Sequence, residues 1–367
     1  MKRIIATGLC VFMLLAALSG CGTKGGGLGE IRVNSSATVS GPAGGETMTQ
    51  PPATDDPPAP PQTSSDNLVD PRFELVALIF RLAGHPEYVV RESDRNAYGA
   101  AYAAYHQALA AFTQYADHPA VTCAATLDIS GSNIFQYVLY IKEDLSGLDD
   151  ISSLVSPFAR CWQEKTAKEF WPLALDFYRE TGFASFYQEN IPFYKTLTEP
   201  FAQDAVISTL DMGWFAAVAT QYDADKKDHY RYMVSPSIHG ACSSAWNDDT
   251  AYAAMAALLG QQPSFQWNSE FLVHEYNHSF CTGPAMDALM LDAQFEEWID
   301  AYDSDAGFYK DSLVISVEYL VRAYTLLYFA DHGYDEAVPF LFARDKDLGF
   351  TYIEDVYAMV REKEGRT

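Results

Sequence analysis

Apolar residues recur at helical spacing over residues 71–83 (PRFELVALIFRLA), with Gly84 and Pro86 as stop signals, so the pattern predicts a helix there. Asp94 is placed to cap an Ala/Tyr-rich helix running to about Tyr115, and residues 163–180 and 185–205 also read as helices, the second interrupted at Pro192. Between them, residues 121–129 and 135–141 carry β-formers and predict strands. Residues 210–219 and 229–235 mix aromatics with β-formers, and Pro236 with Gly240 breaks the second run. Residues 251–259 have Ala-rich helix propensity, yet their place just before the next segment suits a strand. From Asn268 onward the pattern is helical over 269–281, 286–302, 312–331, 335–343 and 351–363. The expected fold class is α+β, mainly α, with a small sheet preceding the helix at 269–281.

The pattern fails at the amino terminus, where a different signal takes over. Met1, Lys2 and Arg3 give a cationic start, and residues 4–18 form an uncharged apolar run, long enough for a signal-peptide core but short for a membrane span. Leu18-Ser19-Gly20-Cys21 resembles a bacterial lipobox, in which the cysteine thiol receives diacylglycerol. Residues 22–66 contain no Phe, Tyr, Trp or His and are dominated by Gly, Pro, Ser and Thr, so they cannot bury enough apolar surface to offset their ordering entropy. The expected organisation is a signal peptide (1–20), a lipidated Cys21 with a disordered tether (21–66) and one globular domain (67–367). The expected location is the bacterial cell envelope, outside the cytoplasm, with the membrane engaged only through the lipid.

Charge removes one class of function. The 367 residues carry 49 Asp+Glu against 24 Lys+Arg, a net charge of -25, which argues against any electrostatic grip on nucleic acid. Beyond Cys10 and Cys21, the remaining cysteines are Cys123, Cys161, Cys242 and Cys281, which can form two disulfides in any of three pairings or stay as buried thiols.

The chemistry concentrates in His274-Glu275-Tyr276-Asn277-His278, an HExxH motif. With 8 His in the chain, this composition yields roughly 0.01 accidental matches, so the motif is informative. Histidines at i and i+4 leave one helix face about 6 Å apart, and both imidazoles can reach one Zn²⁺. Glu275 points about 100° away, where it can hydrogen-bond an attacking water and take its proton.

A catalytic zinc needs a third protein ligand. Metzincins place a His six residues after the second motif histidine and a Gly three after it; here those positions are Pro284 and Cys281, which excludes that class. Cys281 lies on the face of His274, but a zinc centred between the histidines would sit about 7 Å along the axis from it, beyond the reach of its short side chain. Among later carboxylates, Glu296 and Glu297 sit in an acidic stretch that reads as a solvated face, and Glu336 is a further candidate. Glu318 stands out because its neighbours from Leu313 to Ala323 are almost all apolar, and a buried carboxylate is costly unless paired or metal-bound. Arg322, at i+4, is either its structural partner or a donor that orients it as a ligand.

HExxH with a Glu forty residues later resembles the gluzincin metallopeptidases. From about residue 70 the chain also resembles an uncharacterised family of secreted bacterial proteins, through Glu74-Leu75 with Phe80 to Gly84, His118 to Val121, Tyr232 to Ser237, the motif with Phe280 and Pro284, and Glu318 with Val321-Arg322-Ala323. The resemblance implies a zincin-like metallopeptidase domain with His274, His278 and Glu318 as zinc ligands and Glu275 as base. It departs from thermolysin-like relatives in carrying Arg322 where they often have Asp, which leaves His274 without its usual outer partner. It also implies an edge strand that pairs with an extended peptide or protein substrate, for which residues 230–235 or 251–259 are candidates. An oxyanion-stabilising donor is expected from Tyr309, Tyr319, Tyr324, His239 or His332. The rival expectations are a binding lipoprotein with a structural zinc and a zinc hydrolase of a non-peptide amide or ester.

Overall fold

The computed structural model describes residues 68–86, 88, 99–127, 131–151, 162, 164–208, 210–222, 229–237, 242–247, 250–257, 269–278, 292–305 and 309–366. The expectations for the signal peptide, Cys21, the tether, Asp94, His239, Cys161 and Cys281 fall outside these residues. The remaining chain is mainly helical with one small sheet. Helix α1 (Pro71–Leu82) starts where Asp70 accepts from the Arg72 amide and proline occupies the first turn, and it is buried along most of its length. Around it pack α2 (Gly99–Ala110), α3 (Pro119–Ala124), α4 (Gly131–Val138), α5 (Glu164–Glu180) and α6 (Phe183–Glu189), forming a first apolar core rich in Phe and Tyr. Helices α7 (Ile191–Gln203), α8 (Ala205–Ser208) and α9 (Met212–Tyr222) lead to the sheet.

The two strands expected over 121–129 and 135–141 are helices instead. Pro119 stands at the first position of α3, and the His118 ring accepts from the Ala120 amide, a cap that commits the segment to helix. In α4, Ile134, Phe135, Tyr137 and Val138 are all buried, so tertiary packing overrides their β preference. The pause expected at Pro192 is real but starts at Asn190, with Pro192 inside the first turn of α7.

Strands β1 (His229–Ser235), β2 (Cys242–Asn247) and β3 (Thr250–Ala256) form a sheet in the order β1-β3-β2. β1 runs parallel to β3 with Met233 opposite Ala254, and β2 runs antiparallel to β3 with Ser244 opposite Ala253. The Ala-rich segment is thus the central strand. Its small buried side chains Ala253 and Ala254 allow close packing, which outweighs their helix propensity. Being paired on both sides, β3 cannot be the open edge that residues 251–259 were candidates to supply, whereas β1 and β2 are edges among the described residues.

Helix α10 (Glu270–Asn277) lies between the sheet and the long helix α12 (Ser312–Asp331). Its periodicity explains the placement. Leu272 joins the apolar cluster of the sheet, with Val234, Ala253 and Met255, while Val273 and Tyr276 enter a second large core with α9, α11 (Ala293–Asp300), α12, α13 (Ala337–Asp347) and α14 (Ile353–Lys363). Helix α12 is capped by Asp311, which accepts from the Leu313 and Val314 amides, and it is buried over 314–329. By length and composition it could cross a membrane, but 89% of its apolar window is buried within the protein, as expected for a core helix. Gly349 turns the chain from α13 into α14 at φ 93°; a Cβ there would stand 2.5 Å from the Asp303 carbonyl oxygen. That turn delivers Phe350, whose ring lies 4.4 Å from the Arg322 guanidinium carbon.

Candidate metal centre

Residues 270, 274 and 278 form one stripe of α10, spaced one turn apart, and this stripe faces the Glu318–Arg322 stripe of α12. The result brings His274, His278 and Glu318 together, with ligand atoms all within 4.8 Å of one another. His274 Nε2 stands 3.5 Å from Glu318 Oε2, and His278 Nε2 stands 3.4 Å from Glu318 Oε1. The two rings meet edge to face, 4.9 Å between centroids. All three side chains are buried, Glu318 to 0% exposure.

These spacings suit a shared ion better than direct pairing. Glu318 Oε1 and His278 Nδ1 have no hydrogen-bond partner among the described residues. Tetrahedral coordination at about 2.0–2.2 Å separates neighbouring ligand atoms by about 3.3–3.6 Å, which matches both His–Glu distances. Charge agrees. Around the histidines, Glu270, Glu275, Glu318 and Asp345 are buried carboxylates, and Arg322 and Arg344 are guanidinium partners of Glu318, Asp345 and Glu270. The buried carboxylates of Glu318 and Glu275 place negative charge at the histidines that a divalent cation would offset. The group can therefore hold a metal ion.

Electrostatics follow from this packing. Burial alone would raise the Glu318 pKa, but His278, His274 and Arg322 bring it down to about 2. Burial holds His274 well below the ordinary imidazole range, so it is neutral and able to donate a lone pair. Burial also opposes charge on His278, yet contact with Glu318 and the charge of Glu275 raise it. Metal binding uses the neutral imidazole, so it competes with protonation of His278.

Glu275 is buried beside His274 at 3% exposure. Arg322 Nη2 lies 3.4 Å from Glu318 Oε2, and its Nη1 donates to Asp345 Oδ1 at 2.6 Å. Glu296, Glu297 and Glu336 are exposed. Of the oxyanion candidates, Tyr324 donates to Glu364 at 2.8 Å, and the His332 ring is occupied by the Tyr328 carbonyl and Asp211. The Tyr319 hydroxyl accepts from the Tyr352 amide at 3.5 Å, and Tyr309 packs with Tyr302 and Phe350. These four are engaged with other elements. Cys123 is a free thiol.

Three residues of the centre escaped sequence reasoning. Glu270 precedes His274 by one turn and forms a two-pronged ion pair with Arg344, 2.7 and 3.0 Å. Arg344 also lies 3.1 Å from Asp345. The available signal for Glu270 is its i−4 position on the histidine stripe; Arg344 and Asp345, near the end of a helix, carry no comparable signal in the sequence. No protein-family model, curated protein or solved structure matches the chain.

Proposed function

We propose that this protein is a lipid-anchored, extracytoplasmic zinc metallopeptidase of the zincin type. The observation that carries the reading is the convergence of His274, His278 and Glu318 with Glu275 next to the first histidine on the same helix. Two imidazoles and one carboxylate form the donor set of a catalytic zinc, which keeps a coordination position open. A bound Zn²⁺ would supply Lewis acidity, making water more acidic and polarising a substrate carbonyl.

The chain's own residues do the rest. Glu275 takes a proton from the attacking water as its oxygen bonds to the amide carbon, then returns that proton to the nitrogen as the C–N bond breaks, leaving an acid and an amine. Strand β2 is an edge of the sheet and packs against α10, so an extended peptide adding to that edge would present its backbone toward the histidines. This adds residues 242–247 to residues 230–235 as candidates for substrate pairing, and residues 251–259 drop out as the paired central strand. The lipobox at Cys21 and the polar tether that follows support anchorage outside the cytoplasm.

The test is peptide-library hydrolysis by wild type and Glu275→Gln at matched zinc content. The reading expects cleavage products from wild type and a drop of roughly 10²–10⁴-fold in the variant. Hydrolysis of esters or small amides only would redirect the assignment to non-peptide substrates. Zinc retained with no hydrolysis by wild type would leave a binding lipoprotein.

A further inference from the structure

Around the histidines, charged side chains from three helices form a circuit. Helix α12 contributes Glu318 and Arg322, α13 contributes Asp345 and Arg344, and α10 contributes Glu270, one turn from His274. The contacts run from Glu318 to Arg322 at 3.4 Å, to Asp345 at 2.6 Å, to Arg344 at 3.1 Å and to Glu270 at 2.7 Å.

The two halves of the Arg322 contact are unequal. Its short bond goes to Asp345, and the Phe350 ring backs the guanidinium at 4.4 Å, so the group is drawn toward α13. Only the longer, 3.4 Å contact remains for Glu318. Arginine and carboxylate on successive turns of one helix otherwise favour a two-pronged pair. Such a pair would claim both Glu318 oxygens, the same atoms that face His274 and His278. Arg322 is therefore a potential competitor for the metal ligand, and Asp345 restrains it.

We propose that Asp345 is a positioning residue of the metal centre: by engaging Arg322, it keeps the Glu318 carboxylate free to bind metal. Arg344 aligns Asp345 and extends the restraint to Glu270 at the start of the histidine helix. The proposal rests on the metal-binding part of the reading above and is independent of which bond is hydrolysed.

The experiment measures Zn²⁺ affinity of the full-length chain, first stripped of metal, by competition with a chromophoric chelator. Asp345→Asn is expected to weaken binding about 10–100-fold, the range typical of outer-shell partners. Adding Arg322→Gln to Asp345→Asn is expected to restore part of that affinity, because the competitor has gone. A merely structural Asp345 would make the double variant bind no better than Asp345→Asn. Far-UV circular dichroism checks folding; if Asp345→Asn does not fold, Arg344→Met is expected to cause a smaller loss, again relieved by Arg322→Gln. Unchanged affinity in the folded single variant, or no relief in the double, overturns the proposal. Failure of wild type to bind Zn²⁺ at all overturns the metallopeptidase reading as well.

Discussion

Glu74 of α1 accepts a 2.5 Å hydrogen bond from Ser235, the last residue of β1. Its other oxygen accepts from Ser237 Oγ at 2.8 Å and from the Tyr105 hydroxyl of α2 at 2.9 Å. One buried carboxylate therefore ties the first helical layer to the end of the strand, and Tyr102, donating to the Pro236 carbonyl, adds a second tie. Glu74→Ala leaves three hydroxyls without their acceptor, each worth about 1–3 kcal/mol when buried and unpaired. The expected loss of stability in urea unfolding exceeds about 3 kcal/mol. A loss below about 1 kcal/mol would mean the hydroxyls find other acceptors.

The same latch makes a signed prediction about pH. Burial raises the Glu74 pKa, and the three hydroxyls only partly offset it. The folded state then keeps a proton that the unfolded chain releases, so this contribution is full below the ordinary carboxylate value and is lost as pH rises through the folded pKa. Glu318 acts in the opposite sense, its lowered pKa giving stability that is lost as pH falls toward about 2. The wild-type stability minus that of Glu74→Gln should fall as pH rises from about 4. A difference that stays flat from about pH 4 to 8 would remove this account of Glu74.

Metal removal should be visible in stability without any substrate. An ion that binds only the folded state stabilises it by mass action. At about 1,000 times the dissociation constant, Zn²⁺ should contribute about 4 kcal/mol, seen as a rise of several degrees in Tm that excess chelator reverses. Mg²⁺, which prefers oxygen donors, should do little. Equal shifts with Mg²⁺ and Zn²⁺ would argue against imidazole coordination.

Anchorage is tested by fractionation. Wild type should partition with membranes and incorporate labelled lipid, and Cys21→Ser should lose the lipid and remain unprocessed or be released. Identical behaviour of the two proteins would remove the lipid anchor from the proposal.

Much of the helical carboxy-terminal half was legible because its segments bury a stripe or a whole surface with clear caps. Helix α12 matches the expected 312–331 end to end, owing to Asp311 at its start and Gly333 beyond its end. Segments 121–129 and 135–141 misled because β-branched and aromatic residues serve a buried helix as well as a strand. At the centre, the motif histidines and Glu318 were legible because an HExxH spacing and an acid in an apolar run are both improbable without a purpose. Asp345 and Arg344 were not, because charges at a helix end ordinarily face water, and only the fold turns these two inward. The adjacency of β2 to α10 was equally hidden, since strand order cannot be read from segment order.

The third ligand is the point at which sequence and geometry can be tested against each other. Glu318 stands 3.4–3.5 Å from both histidine nitrogens, whereas Glu296 and Glu297 are exposed on α11. Glu318→Ala removes one of three protein donors and a negative charge, so zinc affinity should fall by about two orders of magnitude or more. Glu296→Ala and Glu297→Ala should leave affinity unchanged, and Glu275→Gln should keep its zinc while losing turnover, because the base is not a ligand. Arg322→Ala removes both the donor and the competitor for Glu318, so its effect should be smaller than that of Glu318→Ala. Zinc content by atomic absorption alongside turnover distinguishes these patterns from misfolding, which would lower every signal together. If Glu318→Ala keeps full zinc while Glu296→Ala or Glu297→Ala loses it, the acidic helix supplies the third ligand and Glu318 does not.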